Sequence, residues 1–125
     1  MDKVLSTIKN IHLVGIGGIG MSGLALLLKE KGFNVQGSDV EDGYITKMLK
    51  DCGIEVYIGH KKENMDKDTH LVCYSSAIKE DNPEIQEARK RGLSVLQRGK
   101  LLGLISWDKK TIAVAEATVK LQQVL

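Results

Sequence analysis

At 125 residues the chain is long enough for one compact domain and too short for two. Its composition, 42% hydrophobic and 27% charged, is that of an average soluble globular protein, and 4% aromatics leave the core to Leu, Ile, Val and Ala. A net charge of +2 is too small to argue for nucleic acid, no apolar stretch is long enough to span a membrane, and Cys52 and Cys73 lack metal or redox spacing.

With no signal peptide in view, both cysteines read as reduced thiols of a cytosolic protein. The basic groups Lys61–Lys62, Arg89–Lys90–Arg91 and Lys109–Lys110 fall at helix ends or turns and read as solvated surface.

Ile11–Gly15 is predicted as a short buried strand, and the loop Gly15–Gly20 follows it. Met21, Leu24, Ala25 and Leu28 then recur at helical spacing, widened by Leu26 and Leu27, up to a stop at Lys31–Gly32. Phe33–Ser38 is a second strand ending at Asp39, residues 43–52 a helix closed by Gly53, and Ile54–Ile58 a third strand ending at Gly59–His60. His70–Tyr74 is a fourth strand, followed by the loop Ser75–Asp81. Asn82 as N-cap and Pro83 in the first turn open a helix that runs to Arg91–Gly92. Leu93–Leu96 is a fifth strand, 98–107 a last helix, and Thr111–Ala115 one more strand.

Such alternation implies parallel pairing, right-handed crossovers and an open α/β sheet with helices on both faces. A ligand then sits beyond the carboxyl ends of the strands, where the strand order reverses. The loops Gly15–Gly20, Asp39–Gly43, Gly59–His60 and Ser75–Ile78 should converge there.

Gly15-Ile-Gly17-Gly18-Ile-Gly20 fits G-x-G-x-x-G, after a strand and opening a helix. Gly15 permits the tight turn, Gly17 lets backbone approach a phosphate, and Gly20 lets the helix pack close to the sheet. The first-turn amides and the helix dipole favour an anion. Asp39 is either a ligand for ribose hydroxyls or a loop aspartate capping the next helix. By itself the pattern fits an NAD(P)-binding domain of an oxidoreductase or regulatory protein.

The surrounding residues narrow it. Ile11-His-Leu-Val-Gly-Ile-Gly-Gly-Ile-Gly-Met-Ser-Gly23, Gly37-Ser38-Asp39, Gly59-His60, Ser75-Ser76-Ala77-Ile78 and Asp81-Asn82-Pro83-Glu84, in this order, resemble the opening of the UDP-N-acetylmuramate–L-alanine ligases of the Mur ligase family. The resemblance runs from about residue 8 to Ala115. It implies a Rossmann-like, mostly parallel sheet of about five strands over residues 1–110, binding UDP-N-acetylmuramate or UDP in a bacterial cytoplasm. It implies that Gly15, Gly17, Gly18, Ile19, Gly20, Met21 and Ser22 hold the diphosphate. It also implies that Ser38, Asp39, His60, Ser75, Ser76, Ala77 and Ile78 line the uridine and ribose side. For His60 a solvated loop histidine, and for Ser75 and Ser76 a turn cap, stay open; His12 and His70 are not expected at the ligand.

ATP and magnesium are implied only for the full-length family, whose central domain activates the lactyl carboxylate for attack by the alanine amine. No cofactor, metal or catalytic residue is expected in this chain. In the family the strand resembling Ile112-Ala-Val-Ala115 runs into a P-loop. Here Glu116-Ala-Thr-Val-Lys-Leu121 follows, with Lys120 in register but Glu116 and Val119 where the loop needs glycine. Residues 111–125 therefore read as a remnant strand plus an atypical tail, and the chain is expected neither to bind ATP nor to ligate alone. A shortened chain with altered terminal residues, a degenerate gene product and a natural stand-alone module remain alternatives.

Overall fold

The computed structural model describes residues 8–105. Five strands, β1 (Asn10–Val14), β2 (Asn34–Asp39), β3 (Glu55–Ile58), β4 (Leu71–Tyr74) and β5 (Ser94–Gln97), alternate with four helices. These are α1 (Ile19–Glu30), α2 (Tyr44–Asp51), α3 (Pro83–Lys90) and α4 (Arg98–Ile105). The crossover from β3 to β4 carries a 3-10 turn, Lys62–Asn64, that has no counterpart in the predicted series. The predicted strand at 111–115 and the altered loop at 116–121 lie outside the described residues.

The strands pair in the order β3-β2-β1-β4-β5, and each of these pairings is parallel. The open sheet expected from the alternation is therefore present. The chain fills one side outward from β1 and then crosses back to place β4 on the other flank of β1. The order thus reverses between β1 and β4, and their carboxyl ends define the crevice.

The two faces of the sheet are covered unequally. Ile11 and Leu13 of β1 pack with Met21, Leu24, Ala25 and Leu28 of α1, Leu49 of α2, and Leu101, Leu104 and Ile105 of α4. Val14 and Val72 form a smaller cluster with Met65 and the α3 residues Ile85 and Ala88, flanked by partly buried Tyr74, Ile78, Leu93 and Val95. Side chains alternate across a strand, so His12 shares the thin face with Val14. It is fully buried there.

Local signals act where expected. Lys31 closes α1, Gly32 follows at φ +96°, and the Asn82 side chain accepts from the Glu84 amide at 2.9 Å with Pro83 in the first turn of α3. Truncating an interior leucine such as Leu28 would cost about 2–5 kcal/mol, because a close-packed core only partly collapses into the gap.

Candidate functional site

The carboxyl ends of the strands enclose a crevice of about 420 Å³, lined by Gly15, Gly18, Asp39, His60, Ser75 and Ile78 among others. That volume lies in the usual range for small-ligand sites, roughly 300–1,000 Å³. The loops after β1, β2, β3 and β4 all contribute, so the convergence read from the sequence is realised. Of the residues expected on the uridine side, Asp39, His60, Ser75, Ala77 and Ile78 line the crevice, with Val40, Lys79, Asp81 and Asn82 beside them. Ser76 is exposed and does not line it.

The glycine loop is built on hydrogen bonds back to β2. The amides of Gly15 and Ile16 both donate to the Ser38 carbonyl, at 2.8 and 2.9 Å. Gly15 turns at φ +85°, and a Cβ there would stand 2.8 Å from Ser75 Oγ, so both conformation and space require glycine.

The amides available to an anion differ from those expected. The Gly17 amide donates to Asp39 Oδ2 at 2.8 Å, the Gly18 amide to the Gly15 carbonyl at 3.3 Å, and the Ser22 amide to the Gly18 carbonyl at 2.8 Å. Among the described residues the Ile19, Gly20 and Met21 amides have no such backbone partner, as the first turn of a helix dictates. Of the residues expected at the diphosphate, Ile19, Gly20 and Met21 are therefore those whose amides are free. The Met21 side chain is buried in the core and Ser22 Oγ donates to the Ile19 carbonyl at 2.9 Å, so only the Met21 backbone is offered outward. Ile19, the first residue of α1, is 84% exposed.

Two further expectations are corrected. A Cβ on Gly20 would meet not the sheet but the Arg98 guanidinium, 3.0 Å from Nε and 3.1 Å from Cζ. Arg98, at the carboxyl end of β5, therefore puts a cation over the first turn of α1. The sequence signal was available, since Arg98 directly follows the fifth strand and so leaves the same sheet edge as the loops after the other four. Asp39 does not cap α2, whose N-cap is Gly43. Its Oδ2 is held by Gly17 and its Oδ1 accepts from the Glu41 amide at 3.2 Å, which fixes the carboxylate between the crevice and the recess above α2.

Behind the crevice wall lies a buried polar cluster. Ser38 is fully buried, so it backs the wall rather than lining it. Its hydroxyl donates to Glu84 Oε1 at 2.6 Å and lies 2.8 Å from His60 Nδ1. Glu84 Oε1 also accepts from His12 Nε2, while Oε2 accepts from the Lys61 amide at 3.0 Å and from Asn64 Nδ2 at 2.8 Å. Burial pushes the Glu84 carboxyl up, but the hydrogen bonds from His12, Ser38 and Asn64 outweigh it and hold the carboxyl below its ordinary value. Gln36 Nε2 donates to both the Asn64 carbonyl and His12 Nδ1, at 2.7 Å each, which fixes His12 with its proton on Nε2. His12 thus stands one residue behind the site, linked to His60 through Glu84 and Ser38. His70 lies elsewhere, its Nδ1 accepting from the Lys9 and Asn10 amides. A histidine in an otherwise apolar strand needs a buried partner, and that was the available clue to Glu84.

Among the described residues no group of three or more His, Cys, Asp or Glu is arranged to hold a metal ion, and no helix is long and apolar enough to cross a membrane.

The model of the Mur ligase family, catalytic domain, matches residues 10–110. A UDP-N-acetylmuramate–L-alanine ligase of Aquifex aeolicus is 51% identical over 108 residues, 86% of this chain and 24% of that protein. One from Campylobacter jejuni is 52% identical over 110 residues, 87% of this chain and 25% of that protein. The chain therefore spans about a quarter of the length of the curated relatives it matches. The crystal structure of UDP-N-acetylmuramate–alanine ligase from Thermotoga maritima superposes with a TM-score of 0.72 at 39% identity, over 74% of this chain and 21% of that one. A shikimate dehydrogenase of Aquifex aeolicus, at 15% identity and a TM-score of 0.51, shares the fold alone.

Proposed function

Because the chain belongs to the Mur ligase family, we propose that its crevice binds the UDP moiety of UDP-N-acetylmuramate for the ligase that joins L-alanine to it in peptidoglycan synthesis. The observation that carries the reading is a crevice at the switch point in which Gly15 and Gly18 of the glycine loop face Asp39, His60 and the Ser75–Ile78 loop, with the unpartnered Ile19–Met21 amides next in the chain. The amides, the α1 dipole and Arg98 suit a diphosphate. Asp39, immobilised by Gly17, suits ribose hydroxyls. Val40 and Ile78 offer apolar contact to a base.

In this reading the ATP-dependent chemistry, with its magnesium, belongs to parts of the ligase beyond residues 8–105. The chain supplies the handle by which a cytoplasmic bacterial enzyme holds its nucleotide-sugar. The NAD(P) alternative draws on the glycine pattern and on fold likeness alone.

Calorimetric titration tests the proposal. UDP-N-acetylmuramate should bind, UDP should compete, and NADH should do neither. Tight NADH binding with no response to UDP or UDP-N-acetylmuramate would overturn it.

A further inference from the structure

Gly20 stands where nothing in the backbone asks for glycine. It is the second residue of α1, it is exposed, and its φ is not positive. In a helix alanine is the better residue, because glycine surrenders more backbone freedom on folding. Gly23, three residues on and also exposed, has open space where a Cβ would stand. Gly20 does not. The nearest atoms to its missing Cβ all belong to Arg98: Nε at 3.0 Å, Cζ at 3.1 Å and Cδ at 3.3 Å. A methyl group there would push the guanidinium aside by a few tenths of an ångström.

The guanidinium that takes this space is unpaired. Arg89 and Arg91 each hold a carboxylate, those of Glu80 and Glu87. Arg98 is half-buried and has neither a hydrogen bond nor an ion pair among the described residues. It lies against the one turn of α1 whose Ile19, Gly20 and Met21 amides also lack partners. The guanidinium fork and those amides are all donors, and a cation drawn partly out of water without a partner is costly. What complements such a set is an anion with several acceptor oxygens, as a phosphate has.

We infer that Gly20 is a clearance for Arg98. The absent side chain lets the guanidinium rest against the first turn of α1, where it and the free amides jointly hold a phosphate of the ligand. The glycine thereby sets how well the site separates a phosphorylated nucleoside from a bare one. The inference rests on the proposed UDP-sugar reading. It gives the last glycine of the G-x-G-x-x-G pattern a ligand-binding task in place of the packing task that the pattern alone assigns to it.

The two tasks predict opposite results. A glycine needed for packing should cost stability when replaced, whereas a clearance should cost affinity alone. In calorimetry on the 125-residue chain, Gly20→Ala should weaken UDP-N-acetylmuramate about three- to tenfold and change uridine less than about twofold. Its thermal midpoint should hold or rise by a few degrees. Gly23→Ala, the same exchange on the same helix, should move the midpoint likewise and leave both affinities as they were. Arg98→Ala should weaken the nucleotide-sugar about tenfold. Adding Gly20→Ala to it should then cost less than about twofold more, because the group to be displaced is gone.

A midpoint that falls by more than about 5 °C in Gly20→Ala would return the glycine to packing and overturn the inference. An equal loss from Gly20→Ala with and without Arg98 would overturn it too, since the methyl would then meet the ligand itself. So would unchanged affinity in Arg98→Ala. Each of these leaves the UDP-sugar reading intact. Failure of UDP-N-acetylmuramate to bind the unaltered chain would overturn both.

Discussion

Replacing Glu84 by glutamine preserves shape and removes one acceptor oxygen, and its cost can be worked from the contacts. Oε1 serves His12 Nε2 and Ser38 Oγ, and Oε2 serves the Lys61 amide and Asn64 Nδ2. Either orientation of the glutamine turns an NH2 toward two donors. If it faces Oε1's partners, the Ser38 hydroxyl can turn and accept, but His12 cannot, because Gln36 holds its tautomer. One or two buried donors are orphaned at about 1–3 kcal/mol each, so the loss is about 2–4 kcal/mol. Against a total of about 5–15 kcal/mol this is severe. At roughly 4–8 °C per kcal/mol for a domain of this size, the midpoint should fall by about 10–30 °C. The deficit should also depend on pH. A carboxyl held below its ordinary value of 4.5 stabilises the fold above that value and loses the contribution as pH falls through its folded value. Urea denaturation followed by circular dichroism should therefore show the full gap at about pH 7 and a closing gap toward about pH 3. A gap under about 0.5 kcal/mol at neutrality, the ordinary range of a surface substitution, would refute the reasoning, as would a gap unchanged on acidification.

Gly15→Ala forces a side chain into φ +85° against Ser75 Oγ, and should destabilise by about 1–3 kcal/mol and weaken UDP-N-acetylmuramate binding, as read by thermal melts and calorimetry. Arg98→Ala removes the cation over the first turn of α1. It should weaken UDP-N-acetylmuramate by about tenfold, the equivalent of one charge-assisted hydrogen bond, and leave uridine unaffected. Burial pushes the Cys73 thiol up to about 12 whereas Cys52 is exposed, so thiol titration at mildly alkaline pH should consume Cys52 at once and Cys73 only on unfolding. Asn82→Ala deletes the cap on the Glu84 amide and should cost about 1 kcal/mol in denaturant melts.

Periodicity and punctuation carried the fold. Gly32, Gly53 and Gly92 each follow a helix at positive φ, and the Asn82-Pro83 pair opens one, so the element order was readable from short-range rules. Parallel pairing in one open sheet followed from the alternation of strands and helices, while the order β3-β2-β1-β4-β5 came only with the structure. The site was readable only as far as its loops. Which amides are free depends on where the Asp39 carboxylate comes to rest, a contact between residues 22 apart. His12 and Glu84 are 72 residues apart, and no local pattern joins them. Arg98 could be placed at the binding edge from its position after the fifth strand, but its contact with Gly20, 78 residues away, could not.

The return of the chain from the edge strand β3 to a place beside β1 has a consequence for how the molecule assembles. β1, β2 and β3 are neighbours both in sequence and in space, so each pairing crosses a single helical connection: Asn10 meets Asn34, 24 residues on, and Gln36 meets Glu55, 19 on, whereas Ile11 meets Leu71 of β4, 60 on. β4 must then close a longer loop before its contacts reward it. Until β4 and α3 dock, Ser75 and Glu84 are missing, and the crevice has no far wall. A refolding chain should thus gain its sheet signal before it gains any affinity for UDP-N-acetylmuramate. Ligand present during refolding should slow unfolding of the docked state rather than hasten its formation.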